Sequence, residues 1–335
     1  MSKIKIVPSM VFDAICFFEQ LAIDYETHNF TFLDEQKAFR VKIENLTSGK
    51  LKDGILGMSG LCAVISSWDK NSEFENYTLD DLAEFFKDPE NIREGIETGA
   101  IWGSIKHSPE KWAEIYLNYI NILKEIRFDE LWETDLLPII QEEIDKGKET
   151  CKNLNVDGAF VDIQKLKQCE HIEDVKIYES VMSYPIAFKI YGNSYVNCVY
   201  ANIDVGIVCH ELMHGFTNSE LENLYLEYIN SIKYLKEQHD KLINEMHSGN
   251  EEEFVLAAEY YLRMRHNGED IKDLLQQARK RYGGEYAPIS VFLFELLSKE
   301  PEVPNSYAQW LADVFKNKKL PQKAIERHLD EIAPK

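Results

Sequence analysis

The sequence predicts an α+β chain, predominantly helical, with a small and mostly antiparallel sheet just ahead of one apolar helix. Three observations carry this. Residues 9–154 are dominated by helical periodicity punctuated by cap signals. Short β-branched or aromatic segments cluster between 158 and 201. The stretch that follows, residues 203–216 (IDVGIVCHELMHGF), is apolar, free of proline, and carries His210, Glu211 and His214.

Taken in order, residues 9–28 read as a helix apolar nearly all round. The basic start before it is weak, and Asp13 and Glu19 interrupt the apolar run. No small-residue cleavage site follows, so the segment predicts a buried helix and not a signal peptide. Residues 35–47 are amphipathic. A loose glycine-containing stretch, 47–60, precedes the apolar LCAVISSW. Residues 80–86 form a short helix with a capping signal at Thr78. Ser108 followed by Pro109 starts a helix reaching Arg127, whose stripe of Trp112, Ile115, Tyr116, Tyr119 and Leu123 belongs to a core. Residues 136–154 continue as helix. Gly158–Ile163, Val175–Met182, Ile186–Tyr191 and Tyr195–Ala201 read as strands, with turns at Tyr184-Pro185 and Gly192-Asn193-Ser194. Helices then follow near 251–265, 288–299 and 306–317. This divides the chain into a helical N-terminal region, 1–155, and a second region, 156–335, which could pack as one continuous unit.

The 335 residues, 44% hydrophobic, suffice for a large core. Against 58 acidic residues stand 37 basic ones, a net charge of −21. Nucleic acid and anionic membranes reward positive charge, so neither is expected as a partner. No window of about 20 residues is apolar enough to span a bilayer. The six cysteines are scattered with no CxxC, which fits reduced thiols in a cytoplasmic protein.

His210-Glu211-Leu-Met-His214 is the most informative stretch. Histidines four apart on a helix lie on one face about 6 Å apart along the axis, a separation at which both imidazoles can bind one zinc ion. The intervening Glu211 then stands where a carboxylate can take a proton from a zinc-activated water. Asp204 sits where the helix needs its N-cap. Cys209 points about 100° away from His210 and reads as packing. Asn218, four residues beyond His214, could hydrogen-bond behind a ligand or cap the C-terminus of this helix.

A catalytic zinc takes three protein ligands as a rule. No histidine follows His214 in the spacing HExxHxxGxxH, so that arrangement is excluded. The alternative takes a glutamate from a later helix. In EEEFVLAAEYYLRMR, residues 251–265, the candidates are Glu251, Glu252, Glu253 and Glu259. Glu253 shares a face with Ala257, where a small side chain lets two helices approach. Glu259 is a carboxylate amid apolar residues, which must be paired, metal-bound or protonated; an ion pair with Arg263 is one outcome. For a further donor to a developing oxyanion, Tyr260, Tyr261, His266, Arg281, Tyr282 and Tyr286 are available.

His210–Asn218, HELMHGFTN, resembles the HEFxHxFxN motif of an uncharacterised family of bacterial zinc metallopeptidases of gluzincin type. In that family a helix of the pattern E-x-L-V-R-A-A-x-x-x-Y-x-x-x-x-G follows. Glu253–Gly268 lines up with it, with Ala257 in place of the arginine, and residues 289–315 resemble its tail. The resemblance spans about residues 175–318. It implies a gluzincin-like (zincin) catalytic core, with Zn²⁺ held by His210, His214 and Glu253, and Glu211 as general base in the hydrolysis of a peptide or protein substrate. Two other readings are compatible with the residues: a zinc hydrolase of a non-peptide bond, and a non-catalytic metal-binding or interaction protein.

Overall fold

The computed structural model describes residues 3–21, 33–51, 60–68, 73–97, 108–153, 156–170, 172, 174–183, 187–199, 203–245, 251–280 and 287–332. The expected turn at Tyr184-Pro185, most of the 47–60 stretch, and Arg281, Tyr282 and Tyr286 lie outside them. The chain is predominantly helical with one four-stranded sheet, which is the α+β class the sequence predicts. It divides into two units, Lys3–Asn153 with Asp174–Ile203, and Leu154–Glu173 with Asp204–Lys335. The strand segments between 174 and 198 therefore group with the N-terminal residues, not with the helix bearing His210.

The first unit begins with β1 (Lys3–Pro8) and α1 (Met10–Gln20). It continues through α2 (Asp34–Leu46), α3 (Gly60–Trp68), α4 (Leu79–Phe86), α5 (Pro89–Glu97), α6 (Pro109–Glu125), α7 (Phe128–Leu131) and α8 (Leu137–Asn153), and closes with β2 (Asp174–Ser180), β3 (Phe188–Lys189) and β4 (Ser194–Cys198). Caps fall where the sequence places them. Thr78 and Asp81 form a reciprocal capping box on α4, and Ser108 caps α6 with Pro109 in its first turn.

The sheet departs from expectation. Its order is β1-β2-β4-β3, and β1–β2 and β2–β4 are parallel; only β3–β4 is antiparallel. The missing strand is Lys3–Pro8, whose alternating Lys-Ile-Lys-Ile pairs residue for residue with Asp174–Glu179. A parallel strand recruited from about 170 residues away needs no hairpin, so no turn signal announces it. The Gly192 turn, at φ +70°, joins the one antiparallel pair.

The buried end of β2 is held by polar side chains. Asp13 accepts from Ser180 Oγ (2.6 Å), Met182 N (2.9 Å) and Trp132 Nε1 (2.8 Å). Burial pushes its carboxyl up to about 6 against those three bonds. Gln36 donates to Val181 O at 2.6 Å and Gln20 to Met182 O at 3.0 Å.

The second unit comprises α9 (Val156–Lys167), α10 (Val205–Met213), α11 (Ser219–Asn230), α12 (Lys233–Glu245), α13 (Glu252–His266), α14 (Ile271–Lys280), α15 (Ser290–Leu297), α16 (Tyr307–Lys316) and α17 (Gln322–Ile332). The segment 158–163, expected as a strand, is helical. The buried Ala159, Phe160, Ile163 and Leu166 of α9 recur at three- and four-residue spacing, a helical stripe. Helix α13 is the central element, with Phe254 to Leu262 buried throughout. Tyr225, Phe254 and Phe315 pack ring against ring at one end, with centroids 4.9–6.0 Å apart. No described helix is long and apolar enough to cross a membrane. All six cysteines are free thiols, four of them buried and Cys169 exposed.

Candidate metal centre

Helix α10 starts as the sequence predicts, with Asp204 Oδ1 accepting from Ile207 N at 2.9 Å. It ends one residue before its second histidine. Met213 is the last helical residue, His214 has extended backbone (φ −55°, ψ 148°), and Gly215 turns the chain at φ +80°. The helix expected to carry both histidines thus carries only His210, with His214 just past its end. Asn218 instead caps α11, its Oδ1 accepting from Leu221 N at 3.0 Å.

The early stop leaves the histidines together. Their rings lie 5.1 Å apart at 75°. One donor atom from each of His210, Glu211 and His214 falls within 4.8 Å of the others, and both His210 and Glu211 are buried. Against this group stands α13. Glu252 places Oε1 3.5 Å from His210 Nε2 and Oε2 3.8 Å from His214 Nε2. The remaining ring nitrogens are engaged elsewhere: His210 Nδ1 lies 3.1 Å from Glu259 Oε2, and His214 Nδ1 lies 3.0 Å from Glu251 Oε1. A carboxylate beside Nδ1 keeps the proton on that nitrogen and turns Nε2 outward as the ligand. Both imidazoles are thus presented in the same sense, Nε2 toward Glu252.

Glu253 is elsewhere. Its Oε1 accepts from Tyr225 OH at 3.2 Å and its Oε2 from Ile289 N at 2.7 Å, in the core between α11, α13 and the start of α15. Burial pushes its carboxyl up to about 8. The glutamate that the alignment chose is not brought to the histidines; its neighbour is. The reason is rotational. Successive helical residues are about 100° apart, so only one of the two can face α10.

Close approach of the two helices rests on Gly206. A Cβ there would meet Asp204 Oδ1 at 2.9 Å, Arg263 Cδ at 3.0 Å and Glu259 Oε1 at 3.2 Å. Behind Glu259, Arg263 Nη1 donates to Oε1 at 3.4 Å. The same guanidinium forks onto Glu269, with Nε 2.9 Å and Nη2 2.6 Å from its oxygens. The ion pair with Arg263 expected for Glu259 forms, and the same carboxylate also hydrogen-bonds behind His210.

The electrostatics suit a cation. Glu211, Glu251, Glu252 and Glu259 surround the two imidazoles, with Lys167 and Arg263 as the nearby positive charges. Burial opposes charge on His210, but Glu252, the Glu259 hydrogen bond and Glu211 outweigh it and bring the ring up to about 9. Burial likewise raises Glu251, yet His214 and the Gly215 amide leave it below the ordinary carboxylate value. A divalent ion would take the place of the proton that these carboxylates draw onto the imidazole.

The other described candidates lie against partners away from the histidines. His266 Nε2 lies 2.8 Å from Asp162 Oδ2, Tyr260 packs under Arg263 and Tyr261 under Arg265. Cys209 is buried and its thiol is pushed well up by burial, in keeping with a packing role. Glu251, one of the four candidate glutamates, holds His214 from behind, and Lys167 of α9, which had no signal in the motif, donates its ammonium to Leu212 O and His214 O.

The structure thus defines a buried His210-Glu211-His214 group that could hold a metal ion. No protein-family model, no curated protein and no solved structure matches the chain.

Proposed function

We propose that the protein is a zinc-dependent peptide hydrolase of gluzincin type, with His210, His214 and Glu252 as metal ligands and Glu211 as general base. One observation carries the reading: Nε2 of both histidines faces one carboxylate, Glu252, while Nδ1 of each is held by another. Two imidazoles and one carboxylate are a donor set zinc accepts at catalytic centres, and the fully engaged Nδ1 atoms supply the surrounding support such ligands need.

When bound, zinc would supply Lewis-acid polarisation and a lowered pKa for water. The chain's own groups do the rest. Glu211 follows directly on a ligand and is buried, so its carboxylate takes a proton from the attacking water and returns it to the leaving amine. Glu259 and Arg263 hold the His210 ring in orientation. The acidic surroundings favour the cationic metal and disfavour an anionic substrate group next to it.

The test is metal analysis of the purified protein followed by digestion of a peptide library. One equivalent of zinc, and cleavage abolished by chelation and restored by zinc, are expected. Protein that takes up no zinc from buffered solution refutes the metal site. Zinc-loaded protein that hydrolyses an ester panel and leaves every peptide intact refutes the peptide substrate.

A further inference from the structure

We infer that Lys167 is a positioning residue for the metal centre, fixing the second histidine from outside the helix that carries the motif; this rests on the metal reading above. When a helix carries both histidines of such a pair, its own hydrogen-bond ladder sets their spacing. Here the ladder stops at Met213, and His214 sits on extended backbone ahead of a positive-φ glycine. Something else must hold it.

Two side chains do so. Glu251 grips the turn from one side: Oε1 reaches His214 Nδ1 at 3.0 Å and Gly215 N at 2.9 Å, and Oε2 lies 3.4 Å from Thr217 Oγ1. Lys167 grips it from the other. Its Nζ donates to Leu212 O at 2.7 Å and to His214 O at 2.6 Å. These carbonyls flank Met213, so one ammonium bridges the last turn of α10 and the residue that has left it. Carbonyls at a helix C-terminus lack intrahelical partners and carry partial negative charge, which makes an ammonium their natural partner.

The arrangement has a built character. Lys167 is half-buried, and desolvation pulls its ammonium below the ordinary lysine value, with Cys169 and Glu251 acting in the other direction. A lysine would not be drawn from solvent for a cosmetic contact. It also comes from α9, in the segment Leu154–Glu173, which belongs to the unit of the metal centre although the residues on either side of that segment belong to the other unit. Lys167 contacts no candidate metal donor. It acts through the main chain of His214, setting where that ring stands relative to His210 and Glu252.

The experiment compares full-length Lys167→Met and Lys167→Gln with the parent. Zinc dissociation constants are measured by competition with a chromogenic chelator, and thermal unfolding is followed on the metal-free proteins. Loss of support behind a ligand weakens metal binding by about 10–100-fold, and that is expected for Lys167→Met. Lys167→Gln retains a donor for one of the two carbonyls, so a smaller loss is expected. A purely structural lysine would lower the unfolding temperature and leave the affinity of the folded protein unchanged. Folded Lys167→Met with zinc affinity within about twofold of the parent overturns the inference. If that variant does not fold, the same criterion applies to Lys167→Gln, and failure of both to fold also overturns it. A parent that binds no zinc refutes the metal reading itself, a separate outcome.

Discussion

Glu252 and Glu253 differ by one position and by the direction they face, and replacing each with glutamine separates their roles. Glu253 is fully buried, with its carboxyl raised from 4.5 to about 8 by desolvation. Between those values the folded state binds a proton that the unfolded state has released, so stability falls as pH rises. The group's contribution is fully present below about pH 4.5 and is lost as pH rises through about 8. Applying the linkage relation to these two values, the metal-free parent loses on the order of 2 kcal/mol between pH 5 and pH 7 through this group alone. Glutamine cannot ionise. Its oxygen can accept from Ile289 N, and its amide can donate to Tyr225 OH, whose proton can turn to His239 Nδ1 3.3 Å away. Glu253→Gln should therefore flatten the pH dependence. At pH 7 its melting temperature relative to the parent should rise by several degrees over the difference seen at pH 5, given about 2–4 °C per kcal/mol. The assay is differential scanning fluorimetry from pH 5 to 8 on chelator-treated protein, with zinc affinity measured in parallel and expected unchanged. Parallel stability curves for parent and variant, or loss of zinc binding in Glu253→Gln, would refute the reasoning.

Other outcomes follow from the same geometry. Glu252→Gln should weaken zinc binding by at least about 100-fold, since it removes a proposed ligand and not merely its support, and equilibrium dialysis against buffered zinc checks this. Glu211→Gln should bind zinc as the parent does while peptide cleavage falls by about 10²–10⁴-fold, and measurable turnover near the parent's rate would end its role as base. Gly206→Ala should destabilise the fold by about 1–3 kcal/mol in denaturant titration despite alanine's better helix propensity, because the added methyl would meet Asp204, Arg263 and Glu259 at 2.9–3.2 Å.

Much of this was legible in the residues. Caps at Asp204, Thr78 and Ser108 and the stripe on α6 act through neighbours in sequence, and the helices they start form where expected. What the sequence hid was set by distant partners. β1 is defined by pairing with β2, about 170 residues away, and no local signal names that partner. The end of α10 is met by Lys167 of α9 and by Glu251, the residue that caps α13. The choice among glutamates was closer to hand. Residues seven apart share a helix face, so a helix that turns Glu259 toward His210 also turns Glu252 there and Glu253 about 100° away.

The chain passes from one unit to the other after Asn153, returns after Glu173, and leaves again after Ile203. On the ribosome this imposes a schedule. β1 is made some 170 residues before its partner strand, which begins at Asp174. At about 5–20 residues per second, a lysine- and isoleucine-rich strand spends on the order of ten to thirty seconds with its hydrogen-bonding edge unanswered. The alternating charges of Lys3 and Lys5 are the kind of residue that keeps such an edge from pairing with a stranger while it waits. Lys167 likewise emerges some forty-five residues ahead of the carbonyls it binds. Neither unit can be completed by a contiguous fragment, so a nascent chain released early carries an unfinished sheet and a metal helix still to come.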